Sequence, residues 1–189
     1  MTRQELLTTP RAAKLRVSDF LLLSEAGAFA DYARSELIEG EIWVVNAIHT
    51  AHAAAHFRLS VALAAALEAA GSELTAYTTP STRLSDLSLP EPDLVVAEPH
   101  QEGLLPLDKV RLVIEVADTT LDIDLGRKAA LYGGHGIPEY WVADLQGRVI
   151  HQMWGPGESG YSHRREAAFG EPVEAATLRG LKLETRTLG

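Results

Sequence analysis

Residues 109–117 read KVRLVIEVA, a nearly continuous apolar and β-branched run whose one carboxylate is Glu115. A run of this kind is the pattern of a strand covered on both faces. It predicts a sheet with layers above and below it, so the fold expected is α/β. Glu115 is out of place in such a strand, because a buried carboxylate costs several kcal/mol unless it is paired, protonated or bound to a cation. Two explanations are open: Glu115 emerges at a strand end or pairs with one arginine, or it belongs to a site that uses its charge.

Working outward, DLVVA at Asp93–Ala97 is a second apolar strand, opened by an acid directly after Pro92, and Glu73–Thr79 reads as another strand before it. Downstream, Asp124–His135 predicts a helix ending near Gly136, and EYWVAD and RVIHQMW predict two strands around Gly147. Upstream, LIEGEIWVV at residues 37–45 is two strand pieces around a Glu39-Gly40 turn. His49–Ala70, rich in Ala and Leu and closed by Gly71, is the clearest helix in the chain. Val17–Phe29 predicts a shorter helix with Ser18 as its cap. Beyond Pro156 the pattern is hard to read: GPGESG is a turn, and VEAATL and LKLETR are edge strands or extensions.

The chain has 189 residues, 46% of them hydrophobic, and no cysteine. This suits one domain over residues 1–189 with a core that needs no disulfide, and it excludes thiol catalysis and zinc-thiolate sites. The basic run up to Arg16 reads as a flexible, solvated segment. No stretch reaches the roughly 20 apolar residues of a membrane span, and no signal-peptide core is visible, so the expectation is a soluble, cytoplasmic protein without a membrane partner. A net charge of −9 argues against non-specific coating of nucleic acid. It leaves a carboxylate-based nuclease open, since a divalent cation reverses the local sign.

Two strands that each carry one acid near a common end can converge on a hard cation such as Mg²⁺. Asp93 and Glu115 are that pair. Lys128 lies four residues after Asp124 and four before Tyr132, on one helical face; it is either the partner in a surface pair or a cation near a scissile phosphate. His49, His52 and His56 also share a helix face, but about 10.5 Å of rise separates the outer two. They read as a polar stripe, with one histidine reaching a site. No serine elbow, Walker loop or dinucleotide motif is present.

The stretch LVIEVADTTLDIDLGRKAALYGGHGIPEYWVAD at Leu112–Asp144 resembles the signature of the Uma-two family of restriction-endonuclease-like proteins. The family places an acid-Val strand end before a helix with Asp and Lys four apart, then a Gly-x-Pro-Glu-Tyr-Trp strand. Pro92-Asp93 resembles the family's PD strand, Glu36–Trp43 its opening hairpin, and His52 the histidine at the head of its following helix. The resemblance implies the PD-(D/E)XK nuclease core, a central mixed sheet flanked by helices, with Mg²⁺, or Mn²⁺ in its place, on Asp93 and Glu115. The superfamily's lysine lies two residues after the second acid, where this chain has Ala117. The resemblance assigns its role to Lys128, from the next helix. Glu36, His52 and Asp124 are additional candidates.

The function expected is metal-dependent hydrolysis of phosphodiester bonds, with DNA as substrate and a homodimer left open. The alternative is a binding module for nucleic acid or protein that keeps the nuclease fold without its activity.

Overall fold

The computed structural model describes residues 12–47 and 49–188. Helix α1 (Val17–Glu25) leads into a hairpin, β1 (Arg34–Ile38) and β2 (Glu41–Val45), and then into the long helix α2 (Thr50–Ala69). Strands β3 (Thr75–Thr78), β4 (Leu94–Ala97) and β5 (Val110–Ala117) follow. A crossover formed by a short helix α3 (Leu121–Ile123), a π-helical turn (Asp124–Lys128) and α4 (Ala129–Gly134) returns the chain to β6 (Glu139–Asp144), β7 (Val149–Gly157) and β8 (Gly160–Ala168).

Six strands form the central sheet in the order β8-β7-β6-β5-β4-β3. Only β5 and β6 run parallel, which is why a helical crossover joins them; the other neighbours are antiparallel. The expected mixed sheet between helices is therefore present. On one face Leu112, Ile114, Val116 and Trp141 pack against Leu59 and Leu63 of α2 and against the C-terminal segment that contains Val173 and Leu183. On the other face Val113, Tyr140, Val142 and Met153 meet Leu131, Tyr132 and Ile137. Alternation along β6 thus sends Trp141 to one layer and Tyr140 to the other, and both are fully buried.

Several boundaries differ from the sequence expectation for identifiable reasons. Helix α1 stops at Glu25, short of Phe29, and is opened by Asp19, whose carboxylate accepts the Arg16 N–H at 2.8 Å, with no cap from Ser18. The helix expected over 124–135 is interrupted by the π turn. Strand β8 escaped the sequence reading because it is an edge strand whose residues 162–166 are all exposed. In the N-terminal segment, residues 1–11 lie outside the described residues, while the Leu15 N–H bonds the Gly40 carbonyl at 3.1 Å and Lys14 pairs with Glu41 at 2.7 Å. Gly40 makes this possible, with φ +78° and no room for a Cβ beside Lys14. Gly133 likewise lets α4 press directly on the backbone of Gly160.

Candidate functional site

A cavity of about 360 Å³ opens between the β1-β2 hairpin and the segment after β5, and Arg34, Glu36, Asp93, Glu115, Asp124 and Lys128 project into it. The fold brings them together through three local devices. Asp93 immediately precedes β4, whose first residue Leu94 pairs with Ile114, so the two acids stand side by side: the Asp93 N–H reaches Glu115 Oε2 at 3.3 Å, and Asp93 Oδ2 accepts the Val116 N–H at 2.8 Å. Strand alternation places Arg34 and Glu36 on the same side of β1. The π turn lets Asp124 and Lys128 both point inward, and both are buried. There the Ala129 N–H reaches back five residues to the Asp124 carbonyl.

Each acid has distinct partners. Asp93 Oδ1 accepts from Arg34 Nη2 at 2.9 Å, and Oδ2 faces His52 Nε2 at 3.1 Å. Glu115 Oε1 accepts from Lys128 Nζ at 2.9 Å and from the Tyr132 hydroxyl at 2.8 Å. Lys128 Nζ also lies 3.6 Å from Glu36 Oε2 and 3.9 Å from Asp124 Oδ1. Thr120 donates to Asp124 at 2.6 Å, and Glu36 Oε1 accepts the Glu91 N–H at 2.9 Å.

The electrostatics of these acids diverge. Burial pushes the Glu115 carboxyl up to about 8 against the opposing pull of Lys128, with Asp93 and Asp124 adding to the rise. Asp124 is likewise raised by burial, to about 6. Asp93 is as deeply buried, yet the His52 hydrogen bond, the Arg34 charge and the Val116 N–H overcome desolvation and hold it well below the usual carboxylate range. Burial works to discharge Lys128, but Glu115, Glu36 and Asp124 outweigh it and keep its ammonium above the ordinary lysine range.

Of the residues singled out from sequence, Asp93, Glu115, Lys128, Glu36, His52 and Asp124 all line this cavity. His49, which precedes α2, and His52 and His56 within it take separate partners: His49 bonds Asp118 at 3.1 Å, His52 bonds Asp93, and His56 bonds the Asp93 carbonyl at 2.8 Å. Nδ1 of His52 is buried without a partner among the described residues. Arg34, Tyr132 and Trp43 were not assigned to the site from sequence. The alternation of Arg34 with Glu36 and the spacing of Tyr132 from Lys128 were the available signals. Trp43 had one too, because it pairs across the hairpin with Glu36 and so shares its face.

Comparison with known proteins bears on the whole chain. A family model, Uma2, described as "Putative restriction endonuclease", matches residues 17–186. Among solved structures, the chain is similar to a protein from Anabaena variabilis described as "a putative nuclease", with a TM-score of 0.67 and 17% identity over 92% of this chain and 97% of that one. At that identity the likeness shows the fold. No curated protein matches. Since the family model spans all but the ends of the sequence and the sheet with its flanking helices is that of a nuclease-fold neighbour, the chain belongs to the Uma2 family of restriction-endonuclease-like proteins.

Proposed function

We propose that this protein is a metal-dependent nuclease that hydrolyses phosphodiester bonds in DNA, with Mg²⁺ held by Asp93 and Glu115. The observation that carries the proposal is the juxtaposed Asp93 and Glu115 carboxylates in an open cavity with Lys128 Nζ 2.9 Å from Glu115. The donor set fits the ion. Five carboxylates, Glu36, Asp93, Glu115, Asp118 and Asp124, line the cavity with two obligate cations, Arg34 and Lys128, so formal negative charge remains for a divalent cation to offset. Burial holds the Glu115 and Asp124 carboxyls above the usual carboxylate range, to about 8 and about 6, so Glu115 is the acid that keeps a proton near neutral pH. Among the described residues no three His, Asp or Glu side chains form a ready-made cage. Mg²⁺ does not require one, since it is commonly bound through one or two carboxylates plus water and substrate phosphate.

When bound, the ion supplies Lewis-acid polarisation of the phosphate and activation of water. The chain's own groups do the rest. Arg34 and His52 hold Asp93 ionised and oriented, and Tyr132 fixes the rotamer of Glu115. Lys128 is the cation available to offset charge developing on the phosphate. The test is Mn²⁺ titration by calorimetry beside single-turnover cleavage of plasmid and oligonucleotide DNA. Wild type that binds Mn²⁺ and cuts DNA, with both lost in Asp93→Asn, supports the proposal. The net charge of −9 favours a second reading, a non-catalytic binding module; Mn²⁺ binding without cleavage of any nucleic acid would identify it.

A further inference from the structure

Resting on the nuclease reading, we infer that the substrate strand is unpaired: one nucleotide of a single-stranded segment enters the cavity, its base against the apolar hairpin wall and its phosphate toward Asp93 and Glu115. Three independent features of the cavity converge on this class of substrate.

The first is depth. Asp93 and Glu115 are each 2% exposed and stand at the floor of a space of about 360 Å³, the size range of a pocket for one small ligand. Drawing a phosphate of an intact duplex into that space means deforming a polymer that stays straight over roughly 150 base pairs, an energetic cost that an unpaired strand avoids. An unpaired strand turns freely at each nucleotide.

The second is the wall. Trp43, Val44 and Val45 line the cavity from the hairpin, and Ile123 lines it from the segment after β5. Val45 and Ile123 are 43% and 37% exposed, apolar groups facing water at the mouth of an acidic site. Arg127 stacks on the Trp43 ring at 4.6 Å and is tied to Glu39 and Glu41, which braces the hairpin. Apolar and aromatic surfaces of this kind hold bases by their faces, without regard to sequence.

The third is charge. Of the described residues lining the cavity, the only Lys or Arg are Arg34 and Lys128, and both are committed to carboxylates. Duplex binding rests on a row of phosphate contacts, commonly about six to ten. A substrate gripped by one stacked base and one phosphate needs no such row.

The experiment compares a labelled oligonucleotide as a single strand, as a blunt duplex, and as a duplex bearing a single-stranded flap. Binding is read by fluorescence anisotropy with Ca²⁺ in place of Mn²⁺, since the bare acidic cavity would repel the phosphate, and single-turnover cleavage is read with Mn²⁺. The single strand and the flap should be bound and cut at least about tenfold better than the blunt duplex, with flap cuts confined to unpaired nucleotides. The double variant Val45→Asn/Ile123→Asn should lose about tenfold in single-strand affinity while its Mn²⁺ titration matches wild type, because both substitutions remove apolar surface that the base would cover. A blunt duplex bound and cut as well as the single strand overturns the inference and leaves the nuclease reading standing. So does unchanged affinity in the double variant. Preferential binding of the single strand with no cleavage of any substrate has the opposite meaning: the occupant is right and the nuclease reading falls.

Discussion

Two glutamates on neighbouring central strands, Glu115 and Glu139, are equally withdrawn from water, at 2% and 0% exposure, yet their surroundings differ in kind. Glu139 is saturated by neutral donors: the Trp141 indole at 2.6 Å, the Ala176 and Thr177 N–H groups at 3.0 and 2.8 Å, and the Thr177 hydroxyl at 2.8 Å. It stitches the C-terminal segment to the sheet. Glu115 has one cation, one tyrosine hydroxyl and one long backbone contact, with three more carboxylates around it. Burial of a carboxylate therefore does not by itself mark chemistry. The mark is a buried carboxylate left with unused acceptor capacity and facing an open cavity.

The sharpest way to break this contrast is to neutralise each acid in turn. Glu115→Gln or Asp93→Asn should abolish Mn²⁺ binding and lower cleavage by at least about 10³-fold, as calorimetry and single-turnover assays will register, since each removes a negative ligand from a small site. Glu139→Gln should leave both unchanged and instead cost about 1.5–3 kcal/mol of unfolding free energy in urea, the range for hydrogen bonds to a charged group. Equal loss of metal binding in both glutamate variants would erase the distinction.

Trp141→Ala attacks the structural side of the comparison. It empties the space of a fully buried indole and removes a donor from Glu139, so denaturation should report a loss of about 3–5 kcal/mol. A smaller effect, in the range of a surface substitution, would mean that the clamp on the C-terminal segment does not bear on the core.

Lys128→Met attacks the other side. The single-turnover rate should fall roughly 10²-fold, the scale of one preorganised electrostatic donor. Because Lys128 is what pulls the Glu115 carboxyl down, its loss lets Glu115 keep a proton to higher pH, so Mn²⁺ affinity should suffer more at pH 7 than at pH 9. A pH-independent loss of affinity would show that the two residues are not coupled.

The smallest effect is the pH dependence of wild type. Glu115 is raised to about 8, so the fold favours its protonated form; the stability this brings is greatest below pH 4.5 and is lost as pH rises towards 8. Metal needs the ionised form, so Mn²⁺ affinity should rise between pH 6 and 8, by up to about tenfold per unit for one displaced proton. Asp93, held low, stays ionised throughout this window. Calorimetric enthalpies that vary with the ionisation heat of the buffer will count the released proton.

The apolar strands were legible in the sequence because burial on two faces leaves no room for polar alternation, and Leu94, Ile114 and Trp141 are buried as such runs require. Strand β8 was not, since an exposed edge strand with His163, Arg164 and Arg165 lacks that pattern. The acids at the strand ends stood out by their misplacement. Arg34 and Trp43 stood out less, because their local pattern marks only a face shared with Glu36; that this face turns toward Asp93 and Glu115 is a tertiary fact. The depth of Lys128 was hidden for the same reason: an Asp and a Lys four apart look the same whether they face water or a cavity.

The π turn at Asp124–Lys128 houses one residue more than an α-helix would over the same span. Each residue of a helix is worth about 100° of rotation, so this surplus is an angular offset between Thr120–Asp124 on one side and Tyr132 on the other. Deleting Gly126, whose Cβ position faces open space, would let the segment relax to an α-helix and swing Asp124 and Thr120 round the axis while Lys128 and Tyr132 keep their places. A one-codon change outside the strands would thus edit the membership of the cavity, together with the hydrogen bond that the Tyr140 hydroxyl of β6 donates to the Asp124 carbonyl.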